Sequence, residues 1–234
     1  MGAPVTGYFL VKRGLDCVLA ATLLLLSAPV VLAAMALVKL TSRGPMTYTQ
    51  TRVGYGGRPF TIYKIRTMID NCESLTGPRW AVPGDPRVTP FGGVLRTLHI
   101  DELPQLVNVL RGEMSLVGPR PERPEFVTKL ERDIPHYQAR HAVVPGITGL
   151  AQLHLPPDTE VAHVERKLTF DLYYARHLGL LLDLTILVGT ALKVVGLPGR
   201  MVRAVVPLRY DADDNTGAPT IPFPTRPRPW SKAA

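Results

Sequence analysis

Cys17–Val38, CVLAATLLLLSAPVVLAAMALV, decides the fold of this chain, because it is a run of 22 residues without a formal charge. At ~1.5 Å of rise per residue, a helix of that length covers the ~30 Å hydrocarbon core of a bilayer. Length alone predicts a transmembrane helix, but two local features favour a turn within the membrane. Both flanks are basic, with Lys12 and Arg13 before the run and Lys39 and Arg43 after it, and cationic flanks favour the cytoplasmic side at each end. Pro29, near the midpoint, removes a backbone donor and leaves the Leu25 carbonyl without its helical partner. The Ser27 hydroxyl can serve the freed backbone, which makes a break tolerable in lipid. A helix-break-helix over residues 1–40 that enters and leaves by one face satisfies both features, whereas a kinked spanning helix satisfies only the second. A cleaved leader is a third reading, since Ala34-Met35-Ala36 has the small residues of a cleavage site.

Outward from this run, the 234 residues suffice for one domain with a real core. Lys and Arg outnumber Asp and Glu by 27 to 19, a formal net charge of +8, which favours anionic partners such as anionic lipid, a nucleotide or nucleic acid. The basic residues are scattered among motifs and no aromatic-basic stacking pattern accompanies them, which argues against a nucleic-acid partner. Cys17 and Cys72 stand far apart and suggest neither a disulfide framework nor a zinc spacing, in keeping with a reducing cytosolic face. The histidines at 99, 136, 141, 154, 163 and 177 form no HxxxH or HExxH arrangement, so a histidine metal site is not indicated.

Past Ser42-Arg43-Gly44-Pro45, the runs MTYTQTRV and RPFTIYKIRTM flank Gly54-Tyr55-Gly56-Gly57 and predict a β-hairpin. With neither GxGxxG nor GxxxxGK[ST] present, these glycines are assigned to a turn rather than to a phosphate loop. Residues 71–87 are polar and proline-bearing, a mobile loop by composition. Asp101 is expected to cap a helix carrying Leu103, Leu106, Val107 and Leu110, which Gly112 ends. Residues 121–142 and 158–177 predict two more helices, separated by the turn-rich VVPGITGLAQL segment. Along 178–195, Asp183, Thr185, Gly189, Thr190 and Lys193 share one half of a helical wheel while Leu and Val fill the other. Such a helix suits either a membrane interface or a core. The segments are thus a membrane hairpin at 1–40, an α/β, mostly α, catalytic domain at 41–200 and a proline-rich, disordered tail at 201–234.

The chemistry is concentrated in Leu95–Glu122, LRTLHIDELPQLVNVLRGEMSLVGPRPE. An Asp-Glu pair at a helix start is ordinary in itself, since Asp caps helices and first-turn acids complement the dipole. Here, however, Lys64, Arg66, Arg96 and Arg120 lie in the segments that bound Asp101 and Glu102. Two carboxylates among guanidinium groups suit a divalent cation and a diphosphate. A carboxylate beside such cations is expected to stay ionised and to be able to attack phosphorus.

These runs, together with KRGLDCVLA, SRGPMTYTQTRVG, VPGITGLAQL and DLYYARHLGLLLDLTIL, are colinear over residues 8–195. The chain so read resembles the bacterial sugar transferases that act as monotopic phosphoglycosyl transferases, which move a sugar phosphate from a UDP-sugar to polyprenyl (undecaprenyl) phosphate. The resemblance implies a re-entrant helix hairpin, interfacial amphipathic helices and a place on the cytoplasmic face of a bacterial inner membrane. It implies that Asp101 is the nucleophile, forming a phosphosugar-aspartyl intermediate as UMP leaves, and that Glu102, with Asp101, belongs to a Mg²⁺ site. Arg96 and the Pro119-Arg120-Pro121 turn carry over to donor phosphate and nucleotide, and Lys64 and Arg66 to donor or acceptor phosphate. The sequence departs from the family where Ala28 separates Ser27 from Pro29 and where Ile65 and Thr67 replace Phe and Ser. It suggests the minimal form, without further membrane helices, that begins a surface glycan, and a homo-oligomer is compatible with it. A membrane-bound nucleotide-sugar hydrolase and a non-catalytic membrane-tethered scaffold are the rival expectations.

Overall fold

The computed structural model describes residues 4–74, 77–82, 84–155 and 161–205, so the tail expected to be disordered lies, from 206 on, outside the described residues. The chain is mostly helical, with small sheets. Helix α1 runs from Pro4 to Thr41. A hairpin follows, β1 (Thr47–Val53) pairing antiparallel with β2 (Pro59–Ile65) from Thr47↔Ile65 to Val53↔Pro59. Its loop turns through Gly56 and Gly57, both at positive φ, as the glycine run predicts. Next come α2 (Pro90–Thr97), α3 (Leu106–Arg111), β3 (Ser115–Val117), α4 (Pro124–Asp133), β4 (Gly146–Thr148) and α5 (Leu150–His154). Helices α6 (Val161–Arg176), α7 (Leu180–Val194) and α8 (Gly199–Val205) complete the described chain.

The apolar run forms one helix, long and apolar enough to cross a membrane, and Pro29 lies inside it. A single proline forfeits one backbone hydrogen bond, and the turns on either side keep theirs. Ser27 donates to the Leu24 carbonyl at 3.4 Å, not to Leu25, because its hydroxyl, two residues before the proline, reaches a different turn. Both halves of α1 are docked on the same body. Ala20 is fully buried with Ile62, Leu106, Val109 and Leu116, while Ala34 and Val38 are buried with Ile65 and Leu95. Between these contacts Leu23, Leu25, Leu26, Val30 and Leu32 are exposed.

Polar side chains fix both ends of α1. Asp183 on α7 accepts from Tyr8 at 2.6 Å, Lys12 at 2.5 Å and Tyr174 at 2.7 Å. Asp16 accepts from the Ser115 hydroxyl at 2.7 Å and the Leu116 N–H at 3.1 Å, holding β3. Arg13 donates to the carbonyls of Val109, which also accepts from the Gly112 N–H, and Leu110, at the end of α3. At the other end Arg66 donates to the Ser42 and Arg43 carbonyls at 3.0 and 2.6 Å.

Two local expectations are corrected. The helix expected over 121–142 is divided, because Pro135 pushes Ile134 into extended geometry and ends α4; a 3₁₀ turn at Tyr137–Ala142 follows. The turn-rich segment after it contains β4, which pairs in parallel with β3, strands too short to show an alternating pattern. Helix α7 buries Asp183 and Gly189 together with Ile186, while Leu181, Leu184, Val188 and, just beyond its end, Val195 are exposed. The loop expected to be mobile is tied at its described points by Arg87, which pairs with Asp85 at 2.6 Å, and by Glu73, which pairs with Arg123 at 2.8 Å.

Candidate functional site

Asp101 is positioned by a turn in the chain before it. His99, at φ 56°, is the N-cap of a 3₁₀ turn, Ile100–Gln105, which runs directly into α3. Asp101 therefore does not cap the helix, as expected from its position in the sequence; it lies inside the first turn, where Pro104 is tolerated and where its side chain is free of a capping bond. Gly112, in the left-handed region at φ 80°, ends α3 as expected.

The two carboxylates are in different electrostatic states. Glu102 accepts from Lys64 on β2 at 2.6 Å and from Arg120 at 2.5 Å, and these cations hold it well below the usual carboxylate range despite its burial. Asp101 is buried, and among the described residues its carboxylate accepts no hydrogen bond and makes no ion pair. Burial pushes it above its ordinary value; Lys64, Arg96 and Arg120 pull the other way, but burial outweighs them. Burial also lowers Lys64, against the pull of Glu102, while Glu102 raises Arg120.

Arg120 is presented by a turn whose carbonyls are all engaged. Pro119 accepts from the Gly146 N–H at 2.9 Å, Arg120 from Arg140 at 2.8 Å and Pro121 from Arg52 at 3.2 Å. Arg140 is itself held by Asp171 at 2.7 Å, both almost fully buried. Arg96 stands on α2, whose start Thr89 caps by accepting from Gly92 N–H at 3.0 Å, and it donates to the Thr67 hydroxyl at 2.9 Å. Gly92 lets α2 approach this closely: a Cβ there would lie 2.1 Å from the Thr67 carbonyl oxygen.

Of the predicted site residues, Asp101, Glu102, Lys64, Arg96 and Arg120 come together, framed by Pro119 and Pro121. Arg66 is not brought to them, since its guanidinium is engaged at the end of α1. Ser27 and Pro29 lie in the middle of α1. Sequence reasoning missed Arg52, Arg140 and Asp171, whose pairing across 31 residues leaves no local trace. It also missed Asn108, fully buried, which donates to the Thr61 carbonyl and to Glu113, each at 2.7 Å, and so ties β2 to α3. A polar residue inside the apolar run LVNVL was the available signal.

Among the described residues no three His, Cys, Asp or Glu side chains gather into a metal cluster. Mg²⁺ needs no such cage, since it binds through one or two carboxylates and completes its shell with water and phosphate oxygens. The hard oxygen donors of Asp101, unengaged by any side chain, fit that requirement, and Glu102 would share its oxygens between the ion and the Lys64 and Arg120 cations that it already accepts from.

A sequence model of a family described as bacterial sugar transferase matches residues 7–196. The chain is 45% identical over 183 residues to a UDP-N-acetylgalactosamine-undecaprenyl-phosphate N-acetylgalactosaminephosphotransferase of Aeromonas hydrophila, an alignment covering 78% of this chain and 43% of that one. It is 47% identical over 183 residues, 76% of this chain and 67% of the other, to a UDP-glucose:undecaprenyl-phosphate glucose-1-phosphate transferase of Caulobacter vibrioides. To the exopolysaccharide production protein PSS of Rhizobium leguminosarum bv. phaseoli it is 38% identical over 76% of this chain and 92% of that one. The chain spans less than half the length of the Aeromonas relative and of several other curated relatives that it matches.

Proposed function

The chain belongs to the bacterial sugar transferase family, and from that premise we propose that it moves a sugar phosphate from a UDP-sugar to polyprenyl phosphate through a covalent intermediate on Asp101. One observation carries the reading: of two adjacent carboxylates, Glu102 is neutralised by Lys64 and Arg120 while Asp101 is buried and unbonded. A desolvated carboxylate without hydrogen bonds is a stronger nucleophile than a solvated one.

In the first step an Asp101 oxygen forms a bond to the β-phosphorus, and the bond from that phosphorus to the bridging oxygen breaks. The electron pair leaves with UMP. In the second step a phosphate oxygen of the polyprenyl phosphate bonds to the same phosphorus and the Asp101 carboxylate departs, so the protein ends as it began. Arg96 and Arg120 bind the donor phosphates, and Lys64 balances the charge that develops beside them. Asp101 and Glu102 would hold Mg²⁺, which when bound offsets charge on the diphosphate. The rigid turn at Pro119–Pro121 keeps donor and nucleophile in line.

The exposed leucines and valines of α1 and the exposed apolar residues of α7 support an association with lipid. We further propose that α1 turns back within the membrane to the cytoplasmic face of the inner membrane, a reading supported by both halves of α1 resting on one domain and by the basic flanks. The product begins a surface glycan, a role in keeping with the printed name of the Rhizobium relative.

Incubating the purified chain with UDP-sugars and Mg²⁺, without acceptor, tests this. UMP stoichiometric with enzyme and a mass increase located on Asp101 are expected, followed by transfer when polyprenyl phosphate is added. Release of free sugar phosphate with or without acceptor would establish the hydrolase instead, and undiminished turnover by Asp101→Asn would end the covalent mechanism.

A further inference from the structure

Pro119-Arg120-Pro121 is hard to hold by ordinary backbone pairing. Neither proline has an N–H, so the three residues offer one backbone donor and three carbonyls. A fixed course for this stretch depends on donors brought from elsewhere. The Arg120 side chain needs that fixed course, because it is the less packed of the two cations on Glu102, 35% exposed against 15% for Lys64. Glu102 fixes the far end of the side chain, and the backbone has to fix the near end.

The carbonyl of Arg120 itself is held from a distant part of the chain. Arg140, in the 3₁₀ turn Tyr137–Ala142, donates through Nη2 to that oxygen at 2.8 Å and through Nη1 to the Tyr137 hydroxyl at 2.7 Å. Its guanidinium lies 2.7 Å from the carboxylate of Asp171 on α6. The Gly146 N–H and Arg52 hold the carbonyls of Pro119 and Pro121, so Arg140 completes the set at the residue that carries the guanidinium.

Tyr137, Arg140 and Asp171 are all buried. An ion pair in such a place is costly to desolvate, and apolar side chains of similar volume would fill the core as well. They would not supply a charged fork aimed at one carbonyl and locked by a second charge.

Resting on the transferase reading for what Arg120 binds, we propose that Arg140, locked by Asp171, is a positioning residue that sets the Arg120 backbone so that its guanidinium spans Glu102 and the donor diphosphate. Arg140 touches no substrate in this role. Through it the site depends on α6, on which none of the predicted site residues stands.

The probe is UDP, a diphosphate that binds without reacting, and the readout is its dissociation constant for the full-length protein in detergent. Arg140→Met is combined with Asp171→Leu, so that no uncompensated charge is left buried and the fold is kept. This double variant is expected to melt near the wild type and to bind UDP at least ~10-fold more weakly. In an Arg120→Met background the same two changes should alter UDP binding by no more than about twofold, because a residue that acts through Arg120 has nothing left to position. Should the double variant fail to fold, Arg140→Lys supplies the same cycle: it keeps a charge for Asp171 but loses the fork, and its smaller loss should likewise vanish beside R120M. Wild-type UDP binding by the folded double variant, or by R140K where it stands in, would overturn the proposal. So would a loss that adds in full to that of R120M, which would make Arg140 general scaffolding. UDP binding that depends on Arg140 in a protein that turns over no UDP-sugar would sink the transferase reading and leave the positioning role standing.

Discussion

At the scale of single residues, the site rests on two acids that are neighbours in sequence and opposites in environment. Removing the charge of Asp101 relieves a buried, unbonded carboxylate. Asp101→Asn is therefore expected to lower transfer at least ~1,000-fold while raising the melting temperature, both measured on the same preparation; a lower melting temperature would show that Asp101 is held by contacts absent from this geometry. The sign agrees with linkage. A carboxyl raised on folding contributes stability below its ordinary value of 3.8, and that contribution is lost as pH rises through the folded value. Glu102 behaves oppositely. Its depressed value contributes stability above 4.5, lost only as pH falls through the lower folded value. Glu102→Gln leaves two cations without their partner and should cost about 2–4 kcal/mol at pH 7, allowing for the partial exposure of Arg120. Thermal melts of both proteins should converge in acid; a gap unchanged from neutral to acid would refute the pairing. The motif itself was legible, because acids and cations cluster within one short stretch. Their division of labour was not: Arg120 bonds Glu102 rather than Asp101, and adjacency in sequence cannot say which of two side chains a distant guanidinium reaches.

Elements carry the second layer. Helix α2 brings Arg96 to the site only because Gly92 lets its backbone touch the segment just after β2, where a Cβ would come within 2.1 Å of the Thr67 oxygen. Gly92→Ala is expected to destabilise by ~2 kcal/mol or more and to raise KM for the UDP-sugar, since α2 must retreat and carry Arg96 with it. Kinetics at a temperature where the variant is folded decide the point, and an unchanged KM would detach Arg96 from the donor. The hairpin and α3 were readable from turn chemistry and helical spacing. The parallel pair β3–β4 was not, because three-residue strands show no alternation and their stability comes from a partner about 30 residues away. The buried latch of Tyr8, Lys12, Tyr174 and Asp183 was also hidden; Asp183 looked like part of a wet helical face and is instead 6% exposed. Lys12→Met strips Asp183 of its ammonium and should cost about 3–5 kcal/mol, read as a lower midpoint for thermal unfolding in detergent. An unaltered midpoint would show that Tyr8 and Tyr174 alone suffice.

For the whole molecule, a basic chain with a net charge of +8 holds one apolar helix against a small domain at both of the helix's ends, and α1 and α7 each leave apolar side chains exposed. The protein is expected to stay with bacterial membranes through alkaline carbonate washing and to leave them in detergent. Cysteines placed at exposed positions before and after the apolar run should label from the same side of sealed vesicles. Labelling from opposite sides would mean that α1 crosses.

The sequence by itself determined the apolar run, the hairpin, the position of the acidic pair and the rigid turn that carries Arg120, because each follows from composition and spacing within a few residues. Tertiary structure alone decided which carboxylate is neutralised and which is left bare, which way α7 faces, and that Arg66 serves the end of α1. Those outcomes depend on desolvation and on pairs of charges tens of residues apart, and such energies exist only once the chain has closed around them.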